Sequence, residues 1–282
     1  MIAAARLRIR ILPIVVSFGV SAIAPAAAEM PTSGVSAAAP AFTAPTIDPT
    51  AVWEGKVGRW SNRNNWNPER LPEATDRVLI GNGGTATNIS FNVIDAAVES
   101  LTIYRGDAAT ADLISLFWQS PATSRSLLVS DALVVGGAIA NQQGAFLLSG
   151  GTLSTKDTWV VSTPADGSNG FRQTGGTHTV SNRLILSPVE ANARAQYTLS
   201  DGALVSTSTI LDAQSGGVAL FSQQGGFHAT QALEVGLGAT YAMQGTGRLA
   251  ANTVTNAGSI SVDGGRFAAG NLANSGEFSI VG

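Results

Sequence analysis

The chain reads as an all-β protein, a single-stranded parallel β-helix (β-solenoid) with a Trp-rich capping segment before its repeats. Three observations predict it. An apolar or aromatic residue recurs with a Gly-containing turn four positions after it, and side chains alternate at period two inside the repeats. The last two full repeats match closely at a spacing of 18 residues. Composition agrees with repetitive packing, since 44% of the 282 residues are hydrophobic and only 12% are charged. There is no Cys. Disulfides, thiolate metal sites and a Cys nucleophile are therefore excluded, and packing and strand ladders must hold the fold.

Residues 1–28 read as a signal peptide. Arg6, Arg8 and Arg10 form a basic start, Ile11 to Ala24 is apolar apart from Pro13 and small polar residues, and Ala26-Ala27-Ala28 suits cleavage after Ala28. The apolar stretch, about 14 residues, is shorter than the roughly 20 that a spanning helix needs. Cleavage removes three Arg and no acid, which leaves 13 basic against 19 acidic residues. Nucleic acid, which wants a basic stripe, is not an expected partner. Residues 29–51 are rich in Ala, Pro, Thr and Ser, with little apolar surface to bury, and read as a linker.

Residues 52–100 read as the cap and first strands. Trp53, Trp60 and Trp66 fall close together around Gly55 and Gly58, and Pro68 and Pro72 lead into the strand-like run Arg77-Val78-Leu79-Ile80. Two readings of the indoles stay open: a sugar-stacking platform, or a plug over the first rung, which would otherwise expose core and unpaired backbone.

Residues 101–282 carry the repeat. The marker residues are Phe146, Phe171, Tyr197, Phe221, Tyr241, Ile260 and Phe278, at intervals of 25, 26, 24, 20, 19 and 18 residues. Leu127 extends the series backward, and Leu101 is a weaker candidate before it. Gly-Gly after the marker permits a positive φ at a corner. A second short strand is expected further on, from apolar runs such as Trp159-Val160-Val161, Leu184-Ile185-Leu186 and Ile210-Leu211. Stacked coils about 4.8 Å apart would place Asn256 over Asn274 as an amide ladder. The right hand is expected, as for parallel crossovers in general.

The Trp-Gly-Asn lead-in (Trp53, Gly55, Gly58, Trp60, Ser61, Asn65, Trp66, Pro68, Asp76, Val78, Ile80) and the repeats F-x-x-[ST]-G-G-T-[LH] and N-x-G-x-[IF]-x-[VI] resemble bacterial secreted β-helix proteins of the autotransporter-passenger and surface-adhesin type. The resemblance spans about residues 52–282 and implies fold more than activity. It implies export to the surface or exterior of a Gram-negative bacterium. It also implies a following outer-membrane barrel, which the sequence does not contain. Gly282 falls on the first Gly of a turn, so the expectation is an end in mid-coil: a truncation, or a chain released or held at the surface by another component.

No nucleophile elbow, zinc-protease, Walker A or EF-hand spacing occurs, and no cofactor is expected. Gly245 to Ala250 fits G-x-G-x-x-A by letter alone, on a repeat turn with no βαβ context. His178 and His228 both follow their marker by seven residues, with Leu204 holding that position between them. Two coils apart, they cannot share one metal and are expected to substitute for Leu153, Leu204 and Phe267, partly buried. Asp131, Asp157, Asp166, Asp201, Asp212, Glu234 and Asp263 are scattered over repeat positions, whereas sugar hydrolysis needs paired carboxylates. Arg105-Gly106-Asp107 resembles the integrin-ligand triplet, which would give Asp107 to a receptor metal and Arg105 to an acidic pocket; it also suits an ordinary turn. The expected function is a non-catalytic structural or adhesive surface module, with a carbohydrate-binding or polysaccharide-degrading protein as the alternative. Expected partners are a host-cell receptor, a surface glycan or other envelope components, with membrane contact only through the signal peptide or a missing translocator.

Overall fold

The structure is a computed structural model that describes residues 43–55, 57–81, 88–104, 115–118, 125–137, 142–163, 170–213 and 216–281. The chain passes through three parallel ladders in turn and then rejoins the first, one level further on. Face A stacks residues 57–59, 88–90, 115–118, 145–148, 171–173, 197–199, 220–223, 240–243, 259–263 and 277–281. Face B stacks 95–98, 126–129, 152–155, 177–180, 203–206, 227–230, 248–251 and 266–269. Face C stacks 51–53, 77–80, 100–103, 133–135, 157–160, 183–186, 208–211, 232–235, 253–256 and 271–274. This all-β, solenoid-like arrangement is consistent with a parallel β-helix. Among the described residues, the one antiparallel pairing is Val52 with Asn67 and Trp53 with Trp66.

Each coil thus has one strand more than the two expected. The additional one is face B, which follows the Gly turn directly, so that a single strand such as Phe171–Leu186 runs through all three faces. Its alternation is hidden in sequence because the inward residues include His178 and His228 and the outward ones Thr and Ala. Two markers also shift. Leu127 pairs with Leu153 on face B and Leu101 with Leu133 on face C, whereas the level before Phe146 on face A is Leu116. The loops between levels differ in length, so counting back by a fixed interval loses the register.

At the corner between faces A and B, Gly176, Gly202 and Gly226 hold φ of +69°, +87° and +65°. A Cβ on Gly202 would lie 2.4 Å from the carbonyl oxygen of Gly176, and one on Gly226 2.7 Å from that of Gly202. Coils can stack tightly here because these three positions carry no Cβ.

Inside, the face A markers form one column of rings. Phe146, Phe171, Tyr197, Phe221 and Tyr241 succeed one another at centroid distances of 4.9, 4.4, 5.1 and 4.9 Å, with interplanar angles of 10° or less. Parallel in-register strands place like side chains one above the other, and the rings accordingly stack. Further along, Asn256 Nδ2 donates to Asn274 Oδ1 at 2.6 Å, the anticipated amide ladder.

A second apolar cluster lies outside the coils. On face C, Leu133, Leu184 and Leu211 join the main core, while the intervening Val134, Trp159, Ile185 and Ile210, with Ala132 and Val161, form a separate buried group. Ala44 and Ile47 of the N-terminal segment and Val189 pack against it. Within the stretch expected to be a linker, residues 43–50 therefore lie along the outer wall.

Candidate functional site

The chemistry-bearing side chains gather in two buried networks with the same plan. In the first, His178 stacks on Phe171 at 5.0 Å, and its Nδ1 lies 3.1 Å from Tyr197 Oη. Tyr197 donates its hydroxyl proton to Gln173 Oε1 at 2.7 Å, and Gln173 Nε2 donates to the carbonyls of Gly176 and Ala203. With the Tyr197 proton committed, its oxygen accepts from His178 Nδ1–H. That fixes the neutral tautomer and leaves Nε2 to accept from Thr158 Oγ1, 3.2 Å away, which in turn bonds Thr155 at 2.8 Å.

The second network repeats this. His228 stacks on Phe221 at 5.0 Å, and its Nδ1 faces Tyr241 Oη at 3.1 Å. Tyr241 donates to Gln223 Oε1 at 2.6 Å, Gln223 Nε2 donates to the carbonyls of Gly226 and Arg248, and Thr209 Oγ1 sits 3.1 Å from His228 Nε2. Ser206 backs Thr209 at 2.8 Å, as Thr155 backs Thr158. The motif F-x-Q-x-G-G-x-H, with Tyr as the next marker, occurs at residues 171–178 and 221–228.

Both imidazoles are fully buried, not partly as expected, and burial lowers their pKa from 6.5 to about 3. Burial likewise raises both Tyr hydroxyls well above 10. Desolvation disfavours the charged form in each case, so the networks are neutral at ordinary pH. Leu204 pairs with both His178 and His228, which places the two rings two coils apart. Closed in rungs and with each ring nitrogen already engaged, the imidazoles are positioned for packing and polar satisfaction.

Of the two readings of the Trp cluster, burial disfavours the sugar-stacking platform. Trp53, Trp60 and Trp66 are each 1% exposed, so no indole face is open for a sugar to stack on. Trp66 packs edge-on against Trp53 at 4.9 Å and Trp60 at 4.8 Å, and Trp60 meets Phe91 at 5.3 Å. Trp66 Nε1 donates to the carbonyl of Trp60 at 2.9 Å. Gly55 and Gly58 are needed for this arrangement, since a Cβ on either would press on Asn65 (2.9 and 2.5 Å) and on the Trp53 ring. Asp76 anchors the same segment. It receives both Arg70 guanidinium nitrogens at 2.5 and 2.8 Å, the Glu73 amide at 2.7 Å and the Thr50 hydroxyl at 2.9 Å, which together hold its pKa down at about 2.

Arg105, Gly106 and Asp107 lie outside the described residues, as do residues 1–28 and Gly282. Asp131 is paired with Lys156 at 2.9 Å and Asp157 with Arg183 at 3.3 Å. Among the described residues, no group of three or more His, Asp or Glu is placed to hold a metal ion, and no helix is long and apolar enough to cross a membrane. An open groove of about 760 Å³ runs along the junction of faces B and C, lined by residues such as Thr179, Thr207, Gln231, Asn252 and Ala268. Its lining is small and uncharged.

Against protein-family models, curated proteins and solved structures the chain finds no match.

Sequence reasoning placed both His at equivalent positions but missed Gln173, Gln223, Thr158 and Thr209. The signal was present in the shared Gln two residues after Phe. The outer apolar cluster also left a trace, because Trp159-Val160-Val161 and Leu184-Ile185-Leu186 are apolar without alternation, as strands covered on both sides are.

Proposed function

We propose that the chain is an exported, non-catalytic structural or adhesive module of the Gram-negative cell surface or exterior. In this reading it is a right-handed parallel β-helix whose first rung is plugged by Trp53, Trp60 and Trp66. The observation that carries the proposal is the use made of reactive side chains: His178, His228, Tyr197 and Tyr241 are spent on holding coils in register, with both nitrogens of each ring occupied. A wall lined by small hydroxyl, amide and methyl groups suits a rod that displays loops. Export rests on the basic, apolar and Ala-x-Ala pattern of residues 1–28. A host receptor, a glycan or another envelope component would be met by the outer wall and the connections between strands, and the Arg105-Gly106-Asp107 triplet is a candidate contact by sequence alone.

Production of the full-length chain in a Gram-negative host tests this. The expected product starts at Glu29, is digested by protease added to intact cells or recovered from the medium, and binds cells or envelope fractions without depleting glycans. A cytoplasmic product that retains Met1, or glycan turnover by the purified protein, would overturn it.

A further inference from the structure

The outward side of face B changes character along the stack. The row that holds Thr177 and Ala203 continues as Phe227, Arg248 and Arg266 on three successive levels, in register on the ladder. Their strand neighbours His228, Leu249 and Phe267 pack into the core, so these three face outward, with Phe227 41% exposed and both Arg exposed. Levels are about 4.8 Å apart, which makes a column about 10 Å long from one phenyl and two guanidiniums. Among the described residues neither guanidinium has a hydrogen-bond or ion-pair partner, unlike Arg70 and Arg183, which hold Asp76 and Asp157. The strand Thr240–Asn256, which carries Arg248, contains no acid. The one acid on Ser259–Asn274 is Asp263, at the Gly corner before Arg266 and not paired with it.

Like charges opposite one another on a ladder destabilise it, and an anion bound across them removes that cost. The pair stands out in a chain that, past residue 28, has 13 basic against 19 acidic residues. Two residues further along the same strands, about 6.6 Å away, Ala229, Ala250 and Ala268 continue the wall as a strip of methyl groups. Across the groove from them the side-chain amides of Gln231 and Asn252 are exposed. Level by level, the wall thus offers cationic forks with a ring beside them, a flat apolar strip, and amide donors and acceptors. A polymer laid along the stack fits it if each unit has one carboxylate, an apolar ring face and hydroxyls. A pyranose unit lengthens a chain by about the height of one level, so one uronate meets one coil. The planar carboxylate matches the guanidinium fork. Nucleic acid would want a longer basic stripe than two Arg.

We propose that the outward side of face B from Phe227 to Arg266 is a binding site for an acidic polysaccharide of the polyuronate class. Arg248 and Arg266 take successive carboxylates, Phe227 lies under a sugar ring, and Gln231 and Asn252 bond hydroxyls. The site rests on the reading of the wall as a partner-binding surface and names the glycan. Export does not enter the argument, so the two can fail separately.

Surface plasmon resonance of the purified chain over immobilised polygalacturonate, dextran sulfate and neutral dextran tests this. Saturable binding to polygalacturonate and none to neutral dextran is expected. Arg248→Gln and Arg266→Gln should each raise the Kd about tenfold or more, and Phe227→Ala about threefold. Arg172→Gln, at an exposed Arg on face A, should leave it unchanged. All four positions are exposed, and circular dichroism checks that each variant keeps its strands. No binding to polygalacturonate, tighter binding to dextran sulfate, or an equal loss from Arg172→Gln would overturn the proposal. Because the protein is purified, failure here leaves export and surface display to their own test.

Discussion

The two halves of the stack that hold His178 and His228 have the same interior and different exteriors. Inside, each has Gln, His and the next Tyr in one hydrogen-bonded set, stacked on Phe and backed by two hydroxyls. Outside, Ile185 and Ile210 around the first set are buried under other chain segments, while Glu234 and Thr255 around the second are exposed. The interior code is therefore indifferent to what covers the wall. Register is set by the ring column and its polar partners, and the outward residues are free to be a covered apolar wall in one half and a solvated surface in the other.

The largest contrast should come from the exteriors. Ile185→Asp places an unpaired carboxylate under the N-terminal segment and should destabilise by about 3 kcal/mol or more, whereas Thr255→Asp on the open half should stay within about 0.5 kcal/mol. Urea unfolding followed by circular dichroism measures both, and equal effects would erase the distinction.

The interiors should instead respond alike to acid. Each His has a folded pKa of about 3 against 6.5 unfolded, so the unfolded chain binds more protons between those values. Stability is then fully present above pH 6.5 and falls as pH drops toward 3, by about 1.4 kcal/mol per pH unit for each His. Asp76 acts in a different window, since its lowered pKa gives stability present above about 3.8 and lost toward 2. Replacing either His with Leu, the residue that holds the same position at Leu153 and Leu204, should halve the slope between pH 6 and 4.5. His178→Leu and His228→Leu together should flatten it. Unequal slopes from the two single variants would show that the exterior reaches the interior after all.

A smaller and again symmetric effect is expected from Tyr197→Phe and Tyr241→Phe. Each leaves a Gln carbonyl and a His N–H without a partner in the core, at a cost of about 1 to 3 kcal/mol, while the ring keeps its place in the column. The smallest effect belongs to Asn274→Ala. It removes the amide partner of Asn256 from a half-exposed level, and a loss of about 1 kcal/mol or less in the same melts is expected.

Much of the inner architecture was legible in sequence because it repeats. The ring, the Gly corner and the Asn ladder recur in register, and a residue that stacks on its own kind leaves a visible period. Face B was not legible, since buried His178 and His228 sit there among Thr and Ala and imitate a polar turn. The indoles could be read two ways, since Trp53, Trp60 and Trp66 suit a binding platform or a plug, and the packing of Trp66 against Trp53 and Trp60 turns them inward. The outer cluster is met by a segment of Ala, Pro and Thr whose partly buried Ala44 and Ile47 owe their place to the wall they pack on rather than to the composition around them.

The in-register parallel stack is the central claim, and electron-spin distances test it most directly. On the outward side of face B, Leu128, Ser154, Thr179, Val205, Ala229, Ala250 and Ala268 succeed one another level by level. Spin labels at Leu128→Cys with Ala229→Cys and at Leu128→Cys with Ala268→Cys should give distances of about 19 and 29 Å, a difference of two levels at about 4.8 Å each. A difference far from 10 Å, or distances that do not grow along the series, would contradict it.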